Sequence, residues 1–180
     1  MLEELLMGGF AYFAEDGTTV GADTIDSATK PDNSSSVVSP SIGCIREMRH
    51  ERVTENLGDR ICPKTTGGYT TTARNYITDD KFTFVGEDHN ELVHRLQFGL
   101  SSTIALGTSQ TPFADSKREV KGWIYLVGRK QDGTQLVVLE SYGKVELTDV
   151  PAWTKAYGQP AVTFTPEENA GNTIVYPTTP

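Results

Sequence analysis

The chain has 180 residues, 24 acidic and 16 basic side chains, a net charge of −8 and 37% hydrophobic residues, below the roughly 45–50% usual for globular chains. Its length fits one domain, residues 1–180, and 17 Gly and 9 Pro with abundant Thr and Ser favour a mainly β chain with frequent turns. Cys44 and Cys62 are too few for a disulfide scaffold, and no run approaches the roughly 20 apolar residues of a membrane span.

The charge is uneven. Residues 1–40 hold seven acids against Lys30 alone, a balance of −6, whereas residues 41–100 hold nine acids and eight bases. No basic patch of the kind that grips nucleic acid is present. The opening MLEELLMGG is acidic and only briefly apolar, unlike a signal peptide. Leu2, Leu5 and Leu6 recur at helical spacing until Gly8-Gly9, so residues 1–40 read as an acidic arm followed by a hairpin region. Phe10 to Phe13 and Thr18 to Val20 flank Glu15-Asp16-Gly17, which is a hairpin signal.

A Gly-led strand at Ile42-Gly43-Cys44-Ile45 opens the next stretch. Residues 54–80 then form a polar excursion with neither a core-forming pattern nor a linker composition. Connections this long inside a compact domain are functional or disordered, and the Tyr, Ile, Arg and Thr content argues against plain disorder. Gly67-Gly68 suits a tip, with residues 60–66 going out and 69–77 returning, which makes the excursion an extended β-arm. An isolated two-stranded arm is marginal in water, so the reading is that it touches another subunit.

Residues 82–85 are a short strand, and a helix follows over about 87–99. Asp88 is a good N-cap with Glu91 at capping-box spacing, Leu92, Val93 and Leu96 form one apolar stripe, and Gly99 sits as the C′ residue. Residues 101–116 are loop-like. Residues 120–130 and 135–142 then flank Asp132-Gly133, a two-residue hairpin signal. That turn pairs Arg129 with Leu136, Val127 with Val138 and Tyr125 with Glu140. Both faces of the hairpin are apolar, so one faces the core and the other faces a second sheet or a neighbouring subunit. Residues 144–147, 161–165 and 173–176 supply further short strands.

Catalytic ingredients do not converge. His89 and His94 are five apart and share no helical face, His50 is distant, and no P-loop or nucleophile elbow is present. Adjacent Asp79-Asp80 and Glu167-Glu168 point apart on a strand and read as solvated turn residues. No catalytic residue, metal ligand or cofactor is therefore expected.

The order of these elements resembles the tail tube (major tail) protein of long-tailed bacteriophages: the Gly-led strand, a long loop, a strand at 81–85, the helix 88–98 and a late Trp-bearing hairpin at 122–139. The resemblance covers residues 10–175 and is one of pattern and order. It implies an antiparallel β-sandwich or barrel flanked by one α-helix, with a long extended loop and an N-terminal arm. It also implies hexameric rings stacked into a virion tube, with partners that include a tape-measure protein, a terminator and DNA passing through the lumen unbound. Residues expected between subunits are Leu57, Ile61, Tyr69, Arg74 and Tyr76 on the loop, with Trp123 and Tyr125 on the hairpin. Other readings compatible with the sequence are a capsid decoration or head-tail connector protein, and a carbohydrate-binding β-sandwich using Trp123, Trp153 and Tyr157.

Overall fold

The computed structural model describes residues 8–20, 22–31, 42–86, 91–100, 107–113, 118–129, 135–149 and 159–175. Among these residues nine strands and one helix run in the order β1 (Gly8–Glu15), β2 (Thr19–Val20), β3 (Asp23–Thr24), β4 (Gly43–Pro63), β5 (Tyr69–Gly86), α1 (Glu91–Phe98), β6 (Glu119–Arg129), β7 (Gln135–Asp149), β8 (Ala161–Pro166) and β9 (Thr173–Val175). Residues 1–7, the helix cap at Asp88, the turn at 130–134, and Trp153 and Tyr157 lie outside the described residues.

All the pairings are antiparallel, and the order β6-β1-β4-β5-β8-β7 closes because β6 also pairs with β7. The expected mainly β fold with one flanking helix is thus a six-stranded closed barrel. Strand alternation sends Ala11, Phe13, Phe84, Ile124, Leu126, Val145, Val162 and Phe164 inward into one buried cluster. Leu92, Val93 and Leu96 of α1 join that cluster, so the helix packs against the barrel interior. Gly99 adopts φ 58° and the Leu100 amide donates to the Arg95 carbonyl, which is the six-to-one bond of a Schellman stop. Arg95 is anchored to the last residue of β1 by paired bonds, Nη1 to Glu15 Oε2 at 2.5 Å and Nη2 to Glu15 Oε1 at 2.9 Å. The hydrogen bond to Glu15 raises the Arg95 pKa. Losing one partner of such a buried pair strands the other charge.

Three expectations are corrected. β1 does not form a hairpin with β2, because its two edges already pair with β4 and β6. The turn signal itself is real: the Thr18 amide donates to the Glu15 carbonyl and Gly17 takes φ 82°. The chain thereby leaves the barrel into the small β2–β3 ribbon. Residues 144–147 are not a separate strand, since β7 runs unbroken through Gly143, where any Cβ would lie 2.3 Å from the Thr165 carbonyl oxygen. The β6–β7 register gives Tyr125↔Glu140 and Val127↔Val138 as expected. A shift at Gly128 then sets Arg129 opposite Gln135 rather than Leu136.

The second apolar face of β6–β7 is covered at its Trp123 end by this chain itself. Trp123 (3% exposed) and Tyr142 cluster with Ala14 and Ile25, with Val20 of β2 packed against them. Trp123 Nε1 donates to the Asp26 carbonyl at 2.8 Å, and Tyr142 Oη donates to Asp16 Oδ2 at 2.5 Å. Burial, then the bond to Asp16, pushes the Tyr142 phenol up to about 12. Gly171 closes the site, where a Cβ would meet the indole at 2.7 Å.

The core and the projecting strands should respond differently to truncation. Phe164→Ala, at a fully buried inward position, is expected to lower urea-unfolding stability by about 3–5 kcal/mol. Ile61→Ala, at a 65% exposed position, is expected to change it by less than about 0.5 kcal/mol.

Candidate functional site

The feature without a role in the fold is the outer part of β4 and β5. β1 pairs with β4 only through Ile45, and β8 pairs with β5 only from Phe82 onward. Among the described residues, the two strands pair with each other alone from Arg52↔Asp80 to Pro63↔Tyr69. Twelve residues of strand at about 3.3 Å each carry this arm roughly 35–40 Å away from the barrel. At its tip the Lys64 amide donates to the Gly68 carbonyl and the Gly67 amide to the Lys64 carbonyl. Gly67 and Gly68 take φ 89° and 83°, conformations open to glycine at little cost. The expected long loop is therefore an ordered two-stranded ribbon with its tip at the expected glycines.

The ribbon carries two bulges. One lies in β5 opposite Val53-Thr54. The other lies in β4 between Asn56 and Asp59, where Gly58 has φ 91°. Bulges bend and twist a strand pair and disturb its edge. Apolar side chains nonetheless stand in the open: Val53 is 48% exposed, Ile61 65% and Tyr69 74%. Each arm strand also has one edge unpaired among the described residues, and such edges are templates for further pairing.

Where the arm leaves the barrel, its inward face changes from core to a polar cluster. Phe84 is buried, Phe82 packs against the core, and His50 stacks on Phe82 at 4.5 Å between ring centroids, with planes 6° apart. Two residue pairs further out, Asp80 accepts from His50 Nε2 at 2.9 Å and from Arg52 Nε at 3.2 Å, both at Oδ1. Asp80 is thus a strand residue held by two bases, not a solvated turn residue. The hydrogen bond from His50, with help from Arg52, holds its carboxyl below the usual range. On the opposite face Arg49 spans Glu47 and Glu51 at 3.9 and 3.8 Å, exposed contacts that contribute little.

The residues expected between subunits divide accordingly. Leu57, Ile61, Tyr69, Arg74 and Tyr76 all lie on the arm strands, and Ile61 and Tyr69 are well exposed. Trp123 is corrected: it is enclosed by its own chain and cannot meet a second subunit or serve as a sugar platform. Tyr125 is half-buried, with its ring 6.0 Å from Tyr12. Burial, then the neighbouring Glu140 charge, raises its pKa. Glu140 itself is buried against Lys30 and the Thr173 hydroxyl. The sequence reading missed the His50–Asp80–Arg52 cluster, although counting outward from the tip would have found it. Pro63↔Tyr69 and Arg52↔Asp80 have the same summed position because the two bulges lie on opposite strands and cancel.

Among the described residues no group of three His, Cys, Asp or Glu is placed to hold a metal ion, and no helix is long and apolar enough to cross a membrane. No protein-family model and no curated protein sequence matches the chain.

Asp80 has a depressed folded-state pKa, so its contribution is complete above the ordinary carboxylate pKa of about 3.9 and is lost as pH falls through the folded value. Asp80→Ala at neutral pH should raise amide hydrogen exchange about tenfold in the arm ladder beyond Arg52 while leaving the barrel amides protected. Equal exchange in the arm with and without the carboxylate would rule out this anchoring role.

Proposed function

We propose that the protein is a structural, self-assembling subunit of a bacteriophage tail tube, with six copies in a ring and rings stacked around a channel for DNA and a tape-measure protein. The observation that carries this reading is the arm: a long, two-stranded ribbon that pairs with no further strand among the described residues and leaves Val53, Ile61 and Tyr69 exposed. A ribbon of this kind is marginal alone and gains order from a partner that covers its apolar side chains or pairs with its edges. The anchored root at Asp80 supports a directed reach rather than a slack tether. The element order, from the Gly-led strand through the projecting ribbon and the helix to the closing hairpin, is the feature on which the sequence's resemblance to tube proteins rests.

The chain would act mechanically in this role. The closed barrel would be the rigid body that sets ring geometry, and the arm would lock one copy to the next. A contact between unlike surfaces that does not close on itself generates a filament. The acidity of residues 1–40 is only partly available to a DNA channel. Glu15 and Asp16 are tied to Arg95 and Tyr142, and Asp26 caps the Ala28 and Thr29 amides. The protein would reside in the virion, with no membrane partner.

Deletion of residues 57–76 tests the reading. It joins the strands just beyond the Thr54↔Ile77 pair and leaves Glu55-Asn56 as a two-residue connection. The expected outcome is a folded monomer that forms no rods in negative-stain electron microscopy, while the intact chain forms hollow rods. Rods from the shortened chain would overturn the proposal.

A further inference from the structure

We infer that the distal half of the arm is a cationic docking surface whose occupant is the acidic end of a second copy of this chain. This rests on the self-assembly reading above.

The arm's charges are segregated along its length. Beyond the Asp59↔Ala73 pair, positions 60–72 hold Arg60 and Lys64 and no acid, a balance of +2. The rest of the chain holds 24 acids and 14 bases, a balance of −10. Towards the root the signs interleave, with Glu47, Arg49, Glu51 and Arg52 in succession and Asp80 opposite. The root's charges have partners within the chain. At the tip, Lys64 is exposed between exposed Ile61 and Tyr69.

The strand registers place the complementary charge at the other end of the barrel. β1 pairs Gly9 with Ile45 and Ala11 with Gly43, so it runs away from the arm towards Glu15. Glu15 pairs with Gly122, and beyond that point β6 and β7 pair Glu119 with Glu146 before β7 ends at Asp149. Lys121 and Lys144 lie in this end, but each already faces a carboxylate: Lys121 contacts Glu167 at 2.6 Å and Lys144 contacts Glu119 at 3.2 Å. Glu146 and exposed Asp149 add negative charge that these pairs leave uncancelled. A molecule with a cationic tip at one end and an acidic surface at the other associates head to tail, and like ends repel. Ile61 and Tyr69 would then supply apolar contact once the charges have set the orientation. Nucleic acid is disfavoured as the occupant, because two bases must compete with a balance of −10 on the rest of the chain.

The experiment compares the intact chain, the arm variant Arg60→Glu with Lys64→Glu, and the body variant Glu146→Lys with Asp149→Lys, each checked for an unchanged melting temperature. Sedimentation velocity and electron microscopy read assembly. The expected result is that wild type assembles, and that its assembly weakens at least about tenfold as NaCl rises from about 50 mM to about 500 mM. Each variant alone stays monomeric, and an equimolar mixture of the two co-assembles. Wild-type assembly that ignores both salt and the arm reversal would overturn this inference while leaving self-assembly standing. So would an arm reversal that abolishes binding of a labelled DNA oligonucleotide but not self-association. A wild-type chain that stays monomeric under every condition would instead fail the self-assembly reading, and this inference with it.

Discussion

The β4–β5 ladder is one continuous set of backbone hydrogen bonds held at only one end. At its barrel end it is flanked by β1, which pairs with β4 through Ile45, and by β8, which pairs with β5 from Phe82 to Val85. Beyond that, the same two strands have only each other among the described residues. Inside the barrel, pairing on both sides and burial of Phe84 and Phe164 fix the strands. Outside it, the ribbon keeps its cross-strand bonds while Val53, Ile61 and Tyr69 stand exposed, so these apolar groups do little to offset the entropy of ordering about two dozen residues. The root must therefore transmit direction from the barrel to the arm. The His50 ring stacked on Phe82, with Asp80 bonded to both His50 and Arg52, occupies the one place where it can do so.

Barrel closure and arm projection answer the same problem in opposite ways. An open sheet exposes edge groups to chance pairing, and a closed barrel removes them. β6 and β7 complete that closure. The close approaches at Gly122 and Gly143, where a Cβ would lie 2.0 Å from the Ala14 carbonyl oxygen and 2.3 Å from that of Thr165, show how little room it leaves. The arm instead exposes two long strand edges in one ribbon. Its edges are not left bare: two bulges, Gly58, Pro63 and interleaved charges restrict which strands could align with them. Such an edge discriminates among partners better than a flat apolar one.

The sequence made local elements legible where a periodicity and its punctuation agreed. The β6–β7 hairpin follows from alternating apolar residues around Asp132-Gly133. The end of α1 follows from Leu92, Val93 and Leu96 ahead of Gly99, and the arm tip follows from Gly67-Gly68. What failed depended on who pairs with whom. Glu15-Asp16-Gly17 is a turn, but nothing local reveals that both edges of β1 are taken by strands some thirty and more than a hundred residues away. The two apolar faces of the β6–β7 hairpin correctly signalled burial on both sides. They could not say that at the Trp123 end the cover is the chain's own β2–β3 ribbon and the 167–172 turn rather than a second subunit. The Asp80 cluster was hidden for a related reason. The sequence limits the expected arm strands to residues 60–66 and 69–77 and leaves Asp79-Asp80 as turn residues, so Asp80 has no expected pairing partner.

Charge shows most clearly how a composition changes meaning once it is placed on a fold. The N-terminal acids look like a uniform negative surface in the sequence. In the fold, Glu15 fixes the helix through Arg95, Asp16 fixes Tyr142 and Asp26 orders its own turn, so these three serve folding rather than any channel. The nearly neutral stretch from 42 to 100 divides the other way, into a self-paired root and a tip that is purely basic. A net balance summed over either segment conceals this division, because it adds charges already satisfied within the chain to charges that are not. On that accounting the uncancelled positive charge stands at the end of a projecting ribbon, and uncancelled negative charge stands at the opposite end of the barrel. Such a polar arrangement favours one relative orientation of two copies over its reverse, which is the requirement a stacked, directional assembly imposes on its subunit.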